Sequence, residues 1–235
     1  ISENQKIESS LQVFNSVKLK KLDISSEKYA NEILEQIKVS EFNISDIEKK
    51  QKKLNPSAPF ITSTLQLEAS NKLGFSPGIT MSLAQKLYEG IAVNGENKGL
   101  ITYIRTDSTN LSKEFTSKAR EIIKNKFGQN FVSDTVRNFK NKVKNAQEAH
   151  EAIRPSDPTI LPEHLSKSLA PDLLKLYSLI WSRSIATQAS QAITETLTIK
   201  ICNKDKDIEL SSAFSKTKFK GFKVFYDTNK NENNK

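Results

Sequence analysis

Apolar residues recur three and four positions apart in five segments of the chain, and this spacing is typical of helices with one buried face. Glycine follows three of these segments and Pro171 precedes another, as is common at helix ends. Ser26 is an expected N-cap, and Ser63 and Gln66 have the spacing of a capping box. The predicted helices cover 25–38, 63–73, 80–89, 112–127 and 172–190.

Alternating apolar and polar positions predict strands near both ends of the chain. These strands cover 11–19, 41–53, 192–202 and 209–227, with a turn at 205–207. A further short strand is predicted over 100–106, because its residues are apolar and β-branched. The polar segment 107–112 is expected to start the next helix. Strand-rich ends around a helical middle predict an α+β protein.

Lysine is concentrated in two of the predicted strands. The strand 41–53 ends in a lysine-rich run, which is interpreted as a solvated edge strand, with a DNA contact as the alternative. In 216–223 lysine alternates with phenylalanine, which fits either a nucleic-acid backbone contact or an edge strand protected by charge. The Asn- and Lys-rich end after Thr228 is expected to be disordered.

The composition narrows the class of protein. The 235 residues carry a net charge of +9, which suits a polyanion such as DNA but also fits a lysine-rich protein without such a partner. Cys202 is the only cysteine, which excludes a disulfide framework and a multi-cysteine zinc site. No run of 18 apolar residues is present, and the start at Ile1 without Met is interpreted as that of a fragment.

The strand predicted at 100–106 carries the most distinctive polar pair. On a strand Ile101, Tyr103 and Arg105 would share one face, which places a phenol beside a guanidinium near a helix start. Arginine and helix-terminal N–H groups both bind phosphate oxygens. Tyr103 is therefore placed to attack a phosphate, and the alternative is a tyrosine that only packs.

A second candidate is His150, which stands between Glu148 and Glu151. The spacing is not the H-E-x-x-H zinc pattern and no second histidine is near in sequence, which argues against metal binding. The two remaining interpretations of His150 are a structural role and a role as a general acid or base.

Two other features also have a structural and a functional interpretation. The helices 63–73 and 80–89 could form a helix-turn-helix DNA reader, but paired helices are more often packing units. Trp181 is interpreted as a packing residue rather than a base-stacking one.

Three segments resemble type IA DNA topoisomerases. GLITYIRTDSTNLS (99–112) resembles the active-site segment of that family, commonly GLITYMRTDS. AHEAIRPS (149–156) resembles its AHEAIRPT motif, with Ser156 in place of Thr. APFITSTLQLEASNKLGFSP, continuing to MSLAQKLYEG, resembles the stretch before the catalytic strand. Ile104 stands where Met is common and where the related topoisomerase III proteins usually have Pro, which favours the topoisomerase I branch.

The resemblance implies roles for residues at matching positions. Tyr103 would be the nucleophile, Arg105 would assist it, and His150 would contact the region of the scissile phosphate. The resemblance implies further contacts to DNA from Thr106, Ser108 and Arg154, with a structural role as the alternative for Arg154. The family joins its tyrosine to the 5′ end of the cut strand, passes another strand through the gate and reseals it without ATP, which relaxes negative supercoils.

The resemblance also implies an architecture and partners. A helical domain at 58–187 would carry Tyr103 and be inserted in a strand-rich arch formed by 1–57 and 188–235. The family also uses an N-terminal Mg²⁺-binding TOPRIM domain and a further DNA-binding domain; neither is expected within these residues, and the fragment alone is expected to be inactive. The implied partners are single-stranded DNA and the remainder of the same polypeptide, without a membrane, in the cytoplasm at the nucleoid.

Two rival functions are weighed against this one. The first is a non-catalytic DNA-binding module in which Tyr103 is structural. The second is a tyrosine recombinase, which should show an Arg–His–Arg set before a C-terminal tyrosine. In this chain Tyr103 precedes His150 and Arg154, so the order of residues argues against a recombinase.

Overall fold

A computed structural model of the chain describes residues 7–93, 96–139 and 150–226. Contacts divide these residues into two compact units, a sheet unit of 7–53 and 193–219 and a helical unit of 54–192 and 220–226. Helices occur together with antiparallel strand pairs, so the predicted α+β class is confirmed. The domain boundaries proposed from the sequence, at 57/58 and 187/188, stay a prediction.

The described residues form β-strands, α-helices and short 3₁₀ helices. The strands are β1 (Ser10–Phe14), β2 (Val17–Lys18), β3 (Phe42–Leu54), β4 (Ile91–Val93), β5 (Glu96–Lys98), β6 (Ala192–Asn203) and β7 (Glu209–Phe219). The helices are α1 (Glu27–Val39), α2 (Thr62–Leu73), α3 (Pro77–Glu89), α4 (Lys113–Phe127) and α5 (Pro171–Ala186). Short 3₁₀ helices cover Gln129–Phe131, Pro162–Leu165 and Gly221–Phe225.

The sheet unit is built on five strands in the order β2-β1-β7-β6-β3. β7 pairs antiparallel with both β1 and β6, and β3 lies at an edge, as predicted for the lysine-rich segment. Phe14, Ile33 and Ile208 form a small core where α1 packs on the sheet. Ser26 caps α1 as predicted, because its hydroxyl accepts a hydrogen bond from the Tyr29 N–H.

The strand predicted at 209–227 ends earlier, at Phe219. The chain turns at Gly221, where φ is +47° and an added Cβ would lie 2.3 Å from the Gln191 carbonyl oxygen. Glycine is suited to this turn, where the chain leaves the strand and enters the 3₁₀ helix Gly221–Phe225. Phe222 and Tyr226 then pack against the core of the helical unit. The lysine-rich residues 216–219 pair with β6, whereas β1 pairs with residues 209–211 of β7, so both interpretations of these lysines stay open.

The helical unit is packed around α5. Leu176, Tyr177 and Ile180 are fully buried on this helix, and α2 and α3 both lie against it. The two helices of the predicted pair therefore have a packing role. Trp181 is also buried, and its indole N–H donates a hydrogen bond to the Pro158 carbonyl, which confirms its interpretation as a packing residue.

The helix starts follow local capping, with one correction. Ser76 and Ser112 cap α3 and α4 by accepting backbone hydrogen bonds. The predicted capping box of Ser63 and Gln66 is wrong, because α2 begins one residue earlier than predicted and the Thr64 hydroxyl accepts the Ile61 N–H.

The helix ends depend on longer contacts. α2 ends as predicted at Gly74, which lies in the left-handed region at φ +71°. α5 ends at Ala186 rather than 190, because the following residues bond with another segment: the Gln188 carbonyl accepts the Ser133 N–H, and the Ser190 N–H donates to the Phe131 carbonyl. Within the described ranges, no helix has the length and apolar character needed to cross a bilayer. Glu148 and the residues after Thr228 lie outside the described residues.

Candidate active site

The segment 100–106 is mostly not a strand, which corrects the sequence prediction. Only Ile101 forms a β-bridge, to Pro155. Ile101 and Ile104 are buried, whereas Tyr103 and Arg105 are exposed. Tyr103 and Arg105 thus both face outward, but Ile101 does not share their face.

The reason lies in where the backbone groups of this segment are bonded. Thr102 accepts the Arg154 N–H on its hydroxyl and donates that hydroxyl to the Ala152 carbonyl at 2.7 Å. The Thr102 N–H also donates to the Arg154 carbonyl at 2.9 Å. Side chains and loops satisfy the backbone that a neighbouring strand would otherwise satisfy, so a β-rich sequence adopts an irregular path.

Thr62, the first residue of α2, holds the segment on the other side of Tyr103. Its hydroxyl donates to the Ile104 carbonyl at 2.8 Å and accepts the Thr106 N–H at 3.0 Å. The Thr62 N–H donates to the Thr106 carbonyl. These bonds flank Arg105 in the chain, so the backbone that carries its side chain is fixed at both neighbours.

The segment 107–112 leads into α4 as predicted, because Ser112 is the N-cap of that helix and its hydroxyl accepts the Phe115 N–H. Ser108 bonds to nearby backbone: its hydroxyl accepts the Asn110 N–H, and its own N–H donates to the Thr106 hydroxyl. Ser108 is fully buried and Thr106 nearly so. Both side chains shape the loop after Arg105.

A cleft of about 490 Å³ opens beside this loop. Its walls are the start of α2, the loop after Tyr103 and the beginning of the segment at 150, with the lining residues Ile61, Thr62, Ser63, Arg105, Thr106, Asp107 and His150. The helix start in the wall of the cleft is that of α2 rather than that of α4, and its N-terminal end carries a partial positive charge. The sequence reasoning missed Thr62 and Ser63, although they stand within the PFITSTLQ stretch that resembles the family.

Arg105 is the only arginine that lines the cleft. Among the described residues, its guanidinium has no hydrogen-bond or ion-pair partner, and the side chain is exposed. A free guanidinium beside hydroxyl groups and a helix start can bind an anionic oxygen group such as a phosphodiester. The cleft is therefore suited to an anion.

Tyr103 contacts two other rings. Its ring centroid is 5.6 Å from that of Tyr88, at an interplanar angle of 67°, and 5.8 Å from that of His150, at 31°. Tyr103 remains 42% exposed, so its phenol is open to a large partner. His150 joins the tyrosine to the cleft, because it contacts the Tyr103 ring and lines the cavity.

Arg154, in contrast, is engaged within the fold. Its guanidinium donates to the Glu151 carboxylate and to the Pro155 carbonyl, and it lies 4.9 Å from the centroid of the Phe115 ring. These contacts support the structural role that was the alternative for Arg154. A contact between Arg154 and DNA stays a prediction.

A metal ion is a separate question, because the resemblance implies Mg²⁺ in the whole enzyme. Among the described residues, no three His, Cys, Asp or Glu side chains lie together as ligands would. The part of the chain that the structure describes therefore does not fit a magnesium site.

Comparison with known proteins points to one family. A family model described as DNA topoisomerase matches residues 3–235. The chain is 43% identical over 225 residues to DNA topoisomerase 1 of Rickettsia felis, covering 96% of this chain and 29% of that protein. It is 43% identical over 227 residues to DNA topoisomerase 1 of Campylobacter jejuni, covering 96% and 32%. A solved structure of full-length topoisomerase I from Thermotoga maritima matches with a TM-score of 0.75 at 32% identity, over 97% of this chain and 35% of that one. The chain thus spans less than a third of the length of the two relatives.

Proposed function

The chain belongs to the type IA DNA topoisomerase family, and we propose that it carries the strand-cutting tyrosine of such an enzyme, with Tyr103 as the nucleophile. The observation that supports this most directly is the position of Tyr103: it is exposed, and it contacts a histidine that lines the same cleft as Arg105, an arginine without a partner among the described residues.

The proposed reaction is a transfer of one phosphodiester bond. The Tyr103 oxygen bonds to the DNA phosphorus, the bond to the 3′ oxygen breaks, and the 5′ phosphate stays on the tyrosine. The phenol loses its proton and the departing 3′ oxygen gains one. Because the phosphotyrosyl bond preserves the energy of the bond it replaces, the reverse step reseals the strand without ATP.

Arg105 and His150 are proposed to act on the phosphate. Negative charge grows on the phosphate oxygens during attack, and the free guanidinium of Arg105 can stabilise it. His150 is proposed to contact the same group from the other wall of the cleft, beside the Tyr103 ring. Thr106, Ser108 and Arg154 are proposed to contact the bound strand, and their hydrogen bonds hold the loops beside the cleft.

The activity of the whole protein is part of the proposal. The intact enzyme would bind single-stranded DNA, pass another strand through the opened gate and relax negative supercoils, with Mg²⁺ held by its TOPRIM domain. The relatives are more than three times as long as this chain, which supports a need for further domains of the same polypeptide. We therefore propose that this chain alone folds but does not cut DNA, and that the enzyme works in the cytoplasm at the nucleoid.

The second candidate is a DNA-binding scaffold with a structural Tyr103. A test that separates the two uses the intact polypeptide that carries this chain, Mg²⁺ and labelled single-stranded DNA. The product sought is a protein–DNA adduct that resists denaturant. Tyr103→Phe removes the proposed nucleophile, and Tyr29→Phe is the matched control, because it removes a phenol hydroxyl from α1 of the sheet unit.

An adduct that is lost in Tyr103→Phe and kept in Tyr29→Phe would support the proposed function. An adduct that persists in Tyr103→Phe would assign the chemistry to another residue. If neither protein forms an adduct while a known topoisomerase does, the scaffold is the better explanation.

A further inference from the structure

Tyr88 occupies an unusual place for a partly exposed side chain. It stands in the last turn of α3, is 39% exposed, and its ring packs in a T-shaped arrangement with that of Tyr103. Among the described residues, its hydroxyl has no hydrogen-bond partner. The contact with the Tyr103 ring is therefore the specific interaction that this side chain makes.

The backbone of Tyr88 is fixed against the segment that leads to Tyr103. The Leu100 N–H donates a hydrogen bond of 2.7 Å to the Leu87 carbonyl, which binds the end of α3 to that segment. Gly99 approaches so closely that an added Cβ would lie 2.7 Å from the Tyr88 carbonyl oxygen. The end of α3, which carries Tyr88, is thus bonded to the start of the segment that leads to Tyr103.

His150 is a second aromatic neighbour of Tyr103, so the Tyr103 ring contacts two other rings. A half-exposed tyrosine without such neighbours can occupy several side-chain rotamers. An attack on phosphorus needs the oxygen in line with the departing group, and a displacement of about 1 Å can cost two orders of magnitude in rate. A restriction to one rotamer would therefore speed the reaction.

From this arrangement we propose that Tyr88 is a positioning residue, whose ring holds the Tyr103 phenol in the orientation for attack. This inference rests on the proposed function for its effect on rate, but the orientation itself can be measured without cleavage. The ring of Tyr88, rather than its hydroxyl, carries the role, because the ring makes the contact.

The kinetic experiment compares Tyr88→Leu, Tyr88→Phe and the control Ile79→Ala, which changes an exposed apolar side chain on the same helix. The intact polypeptide is mixed with saturating single-stranded DNA and Mg²⁺, and the rate of adduct formation is followed in a single turnover. DNA affinity is measured separately in a Tyr103→Phe background, where adduct formation through Tyr103 does not interfere. We expect Tyr88→Leu to slow adduct formation about tenfold with unchanged affinity, and Tyr88→Phe and Ile79→Ala to behave as the parent does.

A second measurement keeps the inference testable whatever the chemistry. With 3-fluorotyrosine placed at position 103, the ¹⁹F shift of the parent should reflect a fixed ring environment. Tyr88→Leu should move that shift toward the value of free 3-fluorotyrosine, and Tyr88→Phe should not. If the Tyr103-dependent adduct is never formed, the proposed function fails, and the ¹⁹F shifts alone decide the inference about Tyr88.

Three results would overturn the inference. An unchanged ¹⁹F shift in Tyr88→Leu would mean that Tyr88 does not hold the ring. A loss in Tyr88→Leu that lies wholly in DNA affinity would make Tyr88 a DNA contact. An equal loss in Tyr88→Phe would assign the effect to the hydroxyl.

Discussion

Thr62 and Thr106 are joined by three hydrogen bonds, although they lie on different elements. The Thr62 N–H and hydroxyl both donate to the Thr106 carbonyl, at 3.0 and 3.1 Å, and the Thr106 N–H donates back to the Thr62 hydroxyl. Through this pair the start of α2 sets the path of the loop that presents Arg105. The orientation of the arginine is therefore a property of two segments that meet only in the fold.

Removal of the Thr62 hydroxyl should weaken both the fold and the reaction. Thr62→Val keeps the shape but leaves the Thr106 N–H and the Ile104 carbonyl without this partner, so we expect a loss of about 1–3 kcal/mol in the free energy of unfolding. Urea unfolding measures the loss. Thr62→Ser keeps the hydroxyl and should lose much less, so equal stability of the two variants would contradict the role of these bonds.

Arg105→Ala should leave the fold intact and impair the chemistry. The side chain is exposed and has no partner among the described residues, so the free energy of unfolding should change by less than about 0.5 kcal/mol. Adduct formation by the intact enzyme should fall about a hundredfold, because a donor to the growing charge is lost. Arg105→Lys keeps the charge without the two-pronged geometry and should fall in between. A full rate in Arg105→Ala would remove this arginine from the mechanism.

Arg154→Met should lower the stability of the fold, in contrast to Arg105→Ala, which should impair only the chemistry. The arginine is mostly buried and bonds to Glu151 and to the Pro155 carbonyl, so its loss should cost about 2 kcal/mol of stability. The thermal unfolding of Arg154→Met is compared with that of Arg105→Ala, so that the loss of a bonded arginine is measured against the loss of an exposed one. An Arg154→Met protein of full stability but weak DNA binding would make Arg154 a DNA contact instead.

Tyr177 should make stability sensitive to alkaline pH. Burial, with a smaller contribution from Asp157, raises the pKa of this phenol well above its ordinary value near 10. The unfolded chain therefore loses this proton from about pH 10 while the folded chain keeps it, and the contribution to stability is lost as the pH rises above that value. Below that pH the contribution is fully present.

The pH effect is measured by comparing the parent with Tyr177→Phe. At neutral pH the variant should be less stable by about 1 kcal/mol, because the Ile160 carbonyl loses the hydroxyl that donates to it. Above pH 10 the difference should narrow by up to about 1.4 kcal/mol per pH unit, since only the parent titrates this group. A difference that stays constant up to pH 11 would contradict the raised pKa.

The helices and most of the strands could be predicted from the sequence, because each shows its buried face within a short window. Leu176, Tyr177 and Ile180 reveal α5 by their spacing alone. The motif around Tyr103 and Arg105 could likewise be identified by its residues. Local patterns of this kind require no knowledge of distant contacts.

The geometry of the site could not be predicted in this way. The β-branched residues near Tyr103 predicted a strand, but Thr62 and Arg154 satisfy that backbone from far along the chain. The nearness of Tyr88 to Tyr103 likewise depends on the hairpin of β4 and β5 that lies between them in sequence. Hydrogen bonds between side chains and distant loops produce no periodic pattern of residues, so the sequence alone does not predict them.

At Gly221 no side chain can be added without a shift of the neighbouring backbone. Any side chain there would place its Cβ 2.3 Å from the Gln191 carbonyl oxygen, and the neighbouring Ser190 hydroxyl already bonds to the carbonyls of Asn130 and Val132. Every replacement of this glycine would have to shift residues 190 and 191 and, through them, the segment after α4. A substitution of Gly221 would require compensating changes both at residues 190–191 and in the segment after α4. We therefore expect related proteins to keep this glycine where much of the surrounding surface differs.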